Sequence, residues 1–145
     1  MFHKIKDVQA LPEHKLNVYF CEGQRRIYDV GRLVEKHAFF APLLEDDQLF
    51  NSVKVDVGGY GILWNDDLDL SCDELWDNGE IIESPFDGLM SLRDATDMWG
   101  LNESTLRRAI IYGKFLLGID VCKFGKQWVI SYKSMIREYG EPKAS

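Results

Sequence analysis

The sequence predicts an α+β protein of two small domains: an antiparallel-sheet domain with short helices at residues 1–82, a linker at 83–90, and a mainly helical domain at 91–145. Apolar residues alternate with polar ones at several places early in the chain, but recur at helical spacing late in the chain. The net charge also changes sign, because residues 1–88 hold 8 Lys and Arg against 18 Asp and Glu, whereas residues 89–145 hold 9 against 6. A charge of −10 followed by one of +3 indicates two parts with different partners.

The first domain is predicted to contain two β-hairpins. Residues 15–20 alternate, with Leu16, Val18 and Phe20 on one face, and Glu22-Gly23 supplies a turn before the partner strand. The second hairpin is expected around Gly58-Gly59, because apolar residues alternate on both sides of this pair. These residues are Val53, Val55 and Val57 before the pair, and Tyr60, Ile62 and Trp64 after it.

Short helices complete the first domain. The spacing of Leu33, Val34 and His37 predicts one helix at residues 30–37. Ser71 precedes Glu74 by three residues, a capping-box pattern that predicts the start of another. Turn-forming residues then interrupt the regular pattern and indicate the linker: Gly79, Ser84, Pro85 and Gly88.

The second domain is predicted to open with two short helices. Ser91 is a suitable N-cap for the first helix, which Gly100 ends, and Asn102 is the expected N-cap of the next helix, which Gly113 ends. The apolar stripe of the first helix consists of Leu92, Ala95 and Trp99. Because only residues 100–102 separate the two helices, the pattern predicts a helix-turn-helix.

A hairpin and a last helix are expected to follow. The hairpin spans residues 121–130 and turns at Phe124-Gly125, and the helix runs from Ser131 to Gly140. The apolar face of this helix consists of Tyr132, Met135, Ile136 and Tyr139. Trp99 and Trp128 are expected in the core, since isolated aromatic residues at helical or strand spacing usually pack there.

Composition and spacing exclude several classes of protein. No apolar run approaches the roughly 18–20 residues that a membrane span needs, and the charged first 15 residues do not resemble a secretory signal. We therefore expect a soluble, cytoplasmic protein. The three cysteines, Cys21, Cys72 and Cys122, are odd in number and far apart, so they predict reduced thiols and no disulfide framework or zinc ribbon.

No arrangement of residues predicts catalysis or a cofactor. The acids of residues 66–74 fail the spacing of a calcium-binding EF-hand loop, because Cys72 stands where that loop needs glycine. The glycines of residues 58–61 lack the spacing of a nucleotide-binding loop, and the histidines lack metal-ligand spacing. We predict a non-enzymatic protein without a metal site or a cofactor.

The basic residues of the second domain lie where a helix-turn-helix would contact DNA. In the second helix Leu106, Ala109 and Ile110 are predicted to face the core, so its hydroxyl and guanidinium side chains project outward. Such groups bind phosphate and the edges of bases. Lysines near the tip of the following hairpin, which would act as a wing, bind the DNA backbone. The predicted DNA-binding residues are Ser104, Thr105, Arg107, Arg108, Lys114, Lys123 and Lys126.

Residues 91–139 resemble the small winged helix-turn-helix of phage excisionases and of the DNA-binding heads of MerR-like regulators. The residues that carry the resemblance are Ala95, Gly100, Leu101, Asn102, Thr105, Leu106, Arg107, Arg108, Ile110, Gly113, Lys114, Phe115, Gly125, Lys126 and Trp128. The chain departs from that pattern in a longer stretch, residues 116–123, before the tip of the hairpin. The resemblance implies binding to double-stranded DNA through the second helix and the wing.

The first domain resembles a small uncharacterised bacterial domain whose relatives are often encoded beside a second small protein, as in toxin–antitoxin pairs. The residues that carry this resemblance are Leu16, Val18, Phe20 and Gly23, then Asp29 and Leu33, then Phe50, Val53, Val55 and Asp56, and finally Ile62 and Trp64. It implies a protein partner for this domain.

Two functions follow as expectations. The first is a DNA-binding regulatory protein, either an antitoxin-like protein or an autoregulatory transcription factor, which acts as a homodimer because one small module contacts few base pairs. The alternative is a non-enzymatic adaptor whose acidic N-terminal domain binds a basic partner. Salt-sensitive retention on DNA distinguishes the two.

Overall fold

The computed structural model describes residues 2–143, which divide into two compact units. The N-terminal unit ends at Asp87 and the C-terminal unit begins at Gly88. The predicted linker contains a tight turn, in which the Asp87 carboxylate accepts a hydrogen bond from the Ser84 amide at 2.8 Å and the Ser84 hydroxyl accepts one from the Phe86 amide at 3.1 Å. The α+β class is confirmed, and independent folding of the two units stays a prediction.

The N-terminal unit is built on a four-stranded antiparallel sheet. Its strands, in spatial order, are β1 (Ile5–Leu11), β2 (Lys15–Phe20), β3 (Arg25–Asp29) and β7 (Glu80–Ile82). The alternation in β2 predicted its inward face correctly, since Leu16, Val18 and Phe20 are fully buried. β1 was not predicted, because most of its side chains are exposed or only half-buried and the strand lacks a clear apolar face.

A second, three-stranded antiparallel sheet lies beside β1. It consists of β4 (Lys54–Val55), β5 (Gly61–Leu63) and β6 (Asp69–Ser71), in that order. The β4–β5 hairpin was predicted, but Val57 is not part of it: this residue starts a 3₁₀ turn and is 94% exposed. The acidic segment that contains Asp69 includes strand β6, and Leu68, Leu70 and Cys72 alternate into the core.

Four short helices cover these sheets: α1 (Val30–Lys36), α2 (Pro42–Glu45), α3 (Asp47–Phe50) and α4 (Cys72–Asn78). α1 and α4 were predicted, with His37 an exposed C-cap residue after α1. The Ser71 hydroxyl caps α4 by accepting a hydrogen bond from the Glu74 amide at 3.1 Å. The Glu74 carboxylate instead accepts a hydrogen bond from the Tyr28 hydroxyl at 2.8 Å, so only half of the capping box forms.

The C-terminal unit combines three helices with a three-stranded antiparallel sheet. In chain order its elements are β8 (Leu89–Ser91), α5 (Leu92–Trp99), α6 (Glu103–Ile111), β9 (Val121–Phe124), β10 (Gln127–Ser131) and α7 (Tyr132–Tyr139). β10 lies between β8 and β9 in the sheet. The core is formed by Met90, Leu92, Ala95, Trp99, Leu106, Phe115, Val121, Ile130 and Met135. Within residues 2–143, no helix is both long and apolar enough to cross a bilayer.

The ends of the helices follow from local sequence, with one exception. The Ser91 hydroxyl accepts a hydrogen bond from the Asp94 amide at 3.1 Å, and Gly100 ends α5 in the left-handed conformation, with φ of +66°. Asn102 was expected to cap α6, but its side chain accepts no hydrogen bond there. The first N–H groups of α6 are therefore left without a side-chain acceptor.

Candidate nucleic-acid interface

The second helix of the helix-turn-helix, α6, has one buried face and one exposed face, as its spacing predicted. Leu106 is fully buried, and Ala109 and Ile110 pack against the same core. Four of the predicted DNA-binding residues lie on the exposed face: Ser104, Thr105, Arg107 and Arg108. Because these four side chains share one helix over about a turn and a half, they form one polar surface, which we name the α6 face.

The two arginines of the α6 face are only weakly engaged within the protein. An Arg107 guanidinium nitrogen lies 3.3 Å from a Glu103 carboxylate oxygen, and both side chains are about half exposed. Such a pair on a helix surface contributes about 0.5 kcal/mol at most and is easily exchanged for another anion. Among the described residues the Arg108 side chain has no hydrogen-bond or ion-pair partner, so its guanidinium is available to a ligand.

The predicted lysines lie outside α6, on other parts of the same unit. Lys123 is on β9, and its ammonium lies 5.3 Å from the centre of the Trp128 ring on β10. Trp128 is accordingly only partly buried, although it had been expected in the core. Lys114 follows α6, with its ammonium 5.1 Å from the centre of the Tyr139 ring on α7. Both lysines keep their charged ends at the surface.

The wing hairpin turns one residue later than predicted. Phe124 pairs with Gln127, so the two-residue turn consists of Gly125 and Lys126 rather than Phe124 and Gly125. Gly125 has φ of +61°, a conformation that glycine adopts without a steric penalty. The Lys126 ammonium is therefore carried by the most protruding part of the hairpin and is exposed.

An ion pair between a buried carboxylate and a half-exposed guanidinium, missed by sequence analysis, holds the base of the wing. The Asp120 carboxylate is only 4% exposed and accepts hydrogen bonds from the Arg137 guanidinium at 2.9 and 3.1 Å. It also accepts bonds from the Leu116 amide at 2.8 Å and the Ser134 hydroxyl at 2.7 Å. These donors hold the pKa of Asp120 well below its usual range, the Arg137 guanidinium contributing most.

Asp120 has an unusual position in the sequence, although no local pattern predicts its contact with Arg137. It is an acid in the middle of a basic segment, immediately before a strand, and its partner Arg137 is 17 residues further along the chain. Residues this far apart show no periodicity in the sequence from which their contact could be predicted. The network joins the 116–120 loop, the wing and α7, and so fixes the longer stretch in which the chain departs from the excisionase pattern.

Within residues 2–143, the cysteines and acidic residues form neither a disulfide nor a metal site. No disulfide links Cys21, Cys72 and Cys122. In the part of the chain that the structure describes, no three His, Cys, Asp or Glu side chains are grouped closely enough to hold a metal ion.

Comparison with known families assigns both units. A family model described as a protein of unknown function, DUF2442, matches residues 5–80, and a model described as a helix-turn-helix domain matches residues 82–144. No curated protein and no solved structure matches the chain. The two matches are separated by residue 81 alone and confirm both resemblances, that of the first domain to an uncharacterised family and that of the second to a helix-turn-helix. The chain therefore belongs to the DUF2442 family and carries a C-terminal helix-turn-helix domain.

Proposed function

We propose that this protein is a DNA-binding regulator, in which the C-terminal unit binds double-stranded DNA and the N-terminal unit binds a protein partner. The observation that carries the proposal is the exposed α6 face, which lies on the second helix of a matched helix-turn-helix domain. In such domains the second helix enters the major groove and its first residues contact the edges of bases. The basic C-terminal unit would be attracted to DNA despite the acidic N-terminal unit.

The chemistry of the α6 face suits this role. A guanidinium donates two parallel hydrogen bonds to a guanine edge or to a phosphate, and the hydroxyls of Ser104 and Thr105 bond to either. The uncapped start of α6 adds backbone N–H groups that can bind a phosphate, which gives a physical reason for the missing Asn102 cap. Base contacts from Arg107 and Arg108 would supply sequence specificity.

The lysines would position the domain rather than select a sequence. An ammonium on the wing reaches the phosphate backbone next to the groove that α6 occupies. Lys123 and Lys126 on the hairpin, together with Lys114 after α6, are assigned this role. Each phosphate contact that a substitution removes lowers the magnitude of the slope of the logarithm of the binding constant against the logarithm of the salt concentration by about one.

The proposed assembly follows from the size of the module. One such domain contacts few base pairs, so specific binding needs two copies on a two-fold symmetric site. We therefore propose a cytoplasmic homodimer that acts as an antitoxin-like protein or as a transcription factor that controls its own gene. In either role the N-terminal unit, with its net charge of −10, would bind a basic protein.

The alternative proposal is an adaptor that binds proteins and not DNA. The observation that favours it is the same excess of 18 acids over 8 basic residues in the N-terminal part. In this case the C-terminal unit would be a scaffold whose basic residues are merely solvated. The adaptor predicts retention of a basic partner without any retention of DNA.

The direct test is to replace both arginines of the α6 face. We expect the Arg107→Ala/Arg108→Ala variant of the full chain to lose about 1–3 kcal/mol of binding free energy for each base contact, measured on DNA from the promoter of its own gene. Lys133→Ala is the control, because Lys133 is an exposed basic residue of α7 outside the proposed interface. Thermal unfolding should be unchanged in both variants, since none of these side chains is buried.

The wing lysines are tested in the same salt series. Lys123→Ala and Lys126→Ala should each weaken binding to all DNA sequences alike. Each should also lower the magnitude of the slope of the logarithm of the binding constant against the logarithm of the salt concentration by about one. If the arginine variant binds as the wild type does, and binding is insensitive to salt, the α6 face is not a DNA interface and the adaptor proposal replaces this one.

A further inference from the structure

A cavity of about 400 Å³ opens in the N-terminal unit beside the end of β3. α1 and α4 flank it, and its floor includes Ile27 and Leu33. Ligand sites for small molecules have volumes of roughly 300–1,000 Å³ and combine an apolar floor with a few polar groups. The cavity therefore has the size of a site for a small molecule, and its lining is mainly polar.

The α1 side of the cavity carries a cluster of basic side chains. Arg32, Lys36 and His37 line this side and are exposed. Within the described part of the chain, the side chains of these three residues have no hydrogen-bond or ion-pair partner. Arg32 and Lys36 are four residues apart on one helix, an arrangement in which like charges repel each other. In a unit with a net charge of −10, this uncompensated cluster is unexpected.

Two of the acids that line the cavity already accept hydrogen bonds from other groups of the protein. The Asp29 carboxylate caps α1 by accepting a hydrogen bond from the Arg32 amide at 3.3 Å. The Glu74 carboxylate accepts a hydrogen bond from the buried Tyr28 hydroxyl at 2.8 Å. Burial, assisted by this bond, raises the pKa of Tyr28 well above its usual range, so the phenol keeps its proton and holds Glu74 in place.

The third lining acid, Glu80, lies beside Ile27 and not beside the end of β3 where α1 begins. It is on the edge strand β7, paired with Ile27 of β3, two residues before the point at which β3 ends at Asp29 and α1 begins. An anion in the cavity is therefore favoured on the α1 side, and the Ile27 and Leu33 floor remains for the uncharged part of the same molecule.

We propose that this cavity binds a small organic anion, with a carboxylate or phosphate group held by Arg32 and Lys36. A carboxylate or phosphate oxygen accepts charge-assisted hydrogen bonds from a guanidinium and relieves the repulsion between the two cations. The ligand is a small molecule and not a nucleic acid, because the surrounding net charge of −10 repels a polyanion. This site does not depend on the proposed DNA interface and would give the protein a metabolite-sensing unit.

The test is an NMR titration of the ¹⁵N-labelled full chain with inorganic phosphate and, separately, with succinate, against sodium chloride at matched ionic strength. We expect saturable shifts of the backbone amides of residues 29–37 with at least one of the two anions and not with chloride. Saturation by phosphate alone identifies phosphorylated ligands, and saturation by succinate alone identifies carboxylates.

Two matched variants make the titration decisive. Lys36→Gln should weaken the binding of the active anion by about fivefold, the loss expected for one partly exposed charge contact. Lys54→Gln removes the same charge from an exposed lysine on β4, outside the cavity, and should leave the affinity unchanged. Absence of saturable shifts with both anions, or equal weakening by the two variants, would overturn the proposal.

Discussion

Asp120 is the residue on which the shape of the wing depends most. Its carboxylate joins the loop before β9 to α7 through four hydrogen bonds, and it is nearly inaccessible to solvent. A buried carboxylate is stable only when charged and polar groups replace its water, and here the Arg137 guanidinium does most of this. The geometry of the wing thus rests on an ion pair that is remote from the α6 face.

The ion pair predicts a specific dependence of stability on pH. Because the pKa of Asp120 is lower in the folded protein than its ordinary value of 3.8, its contribution is present above that value and is lost as the pH falls below about 4. Asp120→Asn should lower the free energy of unfolding of the C-terminal unit by about 1–3 kcal/mol at pH 7.

Urea denaturation of the wild type and Asp120→Asn at pH 7, 5 and 3 measures this effect. The difference between the two proteins should be largest at pH 7 and should shrink at pH 3, where the carboxylate of the unfolded chain binds a proton while that of the folded chain stays ionised. A difference that stays constant over this range would show that the charge of Asp120 does not stabilise the wing.

At the residue scale, local contacts were predictable from the sequence and distant ones were not. The burial of Leu106 and the exposure of Arg107 and Arg108 follow from helical periodicity alone. The Asp120–Arg137 pair depends on how β9, β10 and α7 fold together, and no local pattern encodes it. The cavity beside α1 likewise depends on tertiary packing, because α4 reaches it from more than 35 residues further along the chain.

At the scale of elements, the two helices of the helix-turn-helix begin in different ways. The Ser91 hydroxyl caps α5, whereas the side chain of Asn102 makes no capping bond to α6. Capping side chains contribute about 1 kcal/mol when they make the bond, and very little when they do not. The difference leaves the start of α6 open to a ligand while α5 is stabilised internally.

Alanine substitution at the two caps tests this difference. Ser91→Ala should lower the free energy of unfolding of the C-terminal unit by about 1 kcal/mol, whereas Asn102→Ala should lower it by a few tenths at most. Equilibrium denaturation of both variants provides the comparison. Equal losses would mean that Asn102 caps α6 in solution, and the start of the helix would then be less available to a phosphate.

Two strands that the sequence did not predict, β1 and β6, lack the usual signals for different reasons. β1 lies at the edge of its sheet with only Ile5 fully buried, so it shows little of the alternation by which β2 was recognised. β6 does alternate, but its two exposed positions beside Leu70 are Asp69 and Ser71, which favour turns. Edge position in one case and turn-favouring residues in the other concealed strands that tertiary pairing stabilises.

At the scale of the whole molecule, the two units carry opposite net charges that suit different partners. The N-terminal unit, with 18 acids and 8 basic residues, should repel nucleic acid, and the C-terminal unit, with 9 basic residues and 6 acids, should attract it. The two units have separate cores, and the two family matches cover them separately. We expect limited proteolysis to cut within residues 83–88 and to release two folded fragments.

The most direct test of this division is DNA binding by the two fragments, residues 1–82 and 83–145, over a salt series from 50 to 200 mM. This range is chosen because the affinity of a protein that makes a few phosphate contacts falls by roughly tenfold or more across it. Circular dichroism establishes first that each fragment is folded. We expect fragment 83–145 to bind promoter DNA with an affinity that falls steeply with salt, and fragment 1–82 not to bind. DNA binding by fragment 1–82, or none by a folded fragment 83–145, would contradict this division.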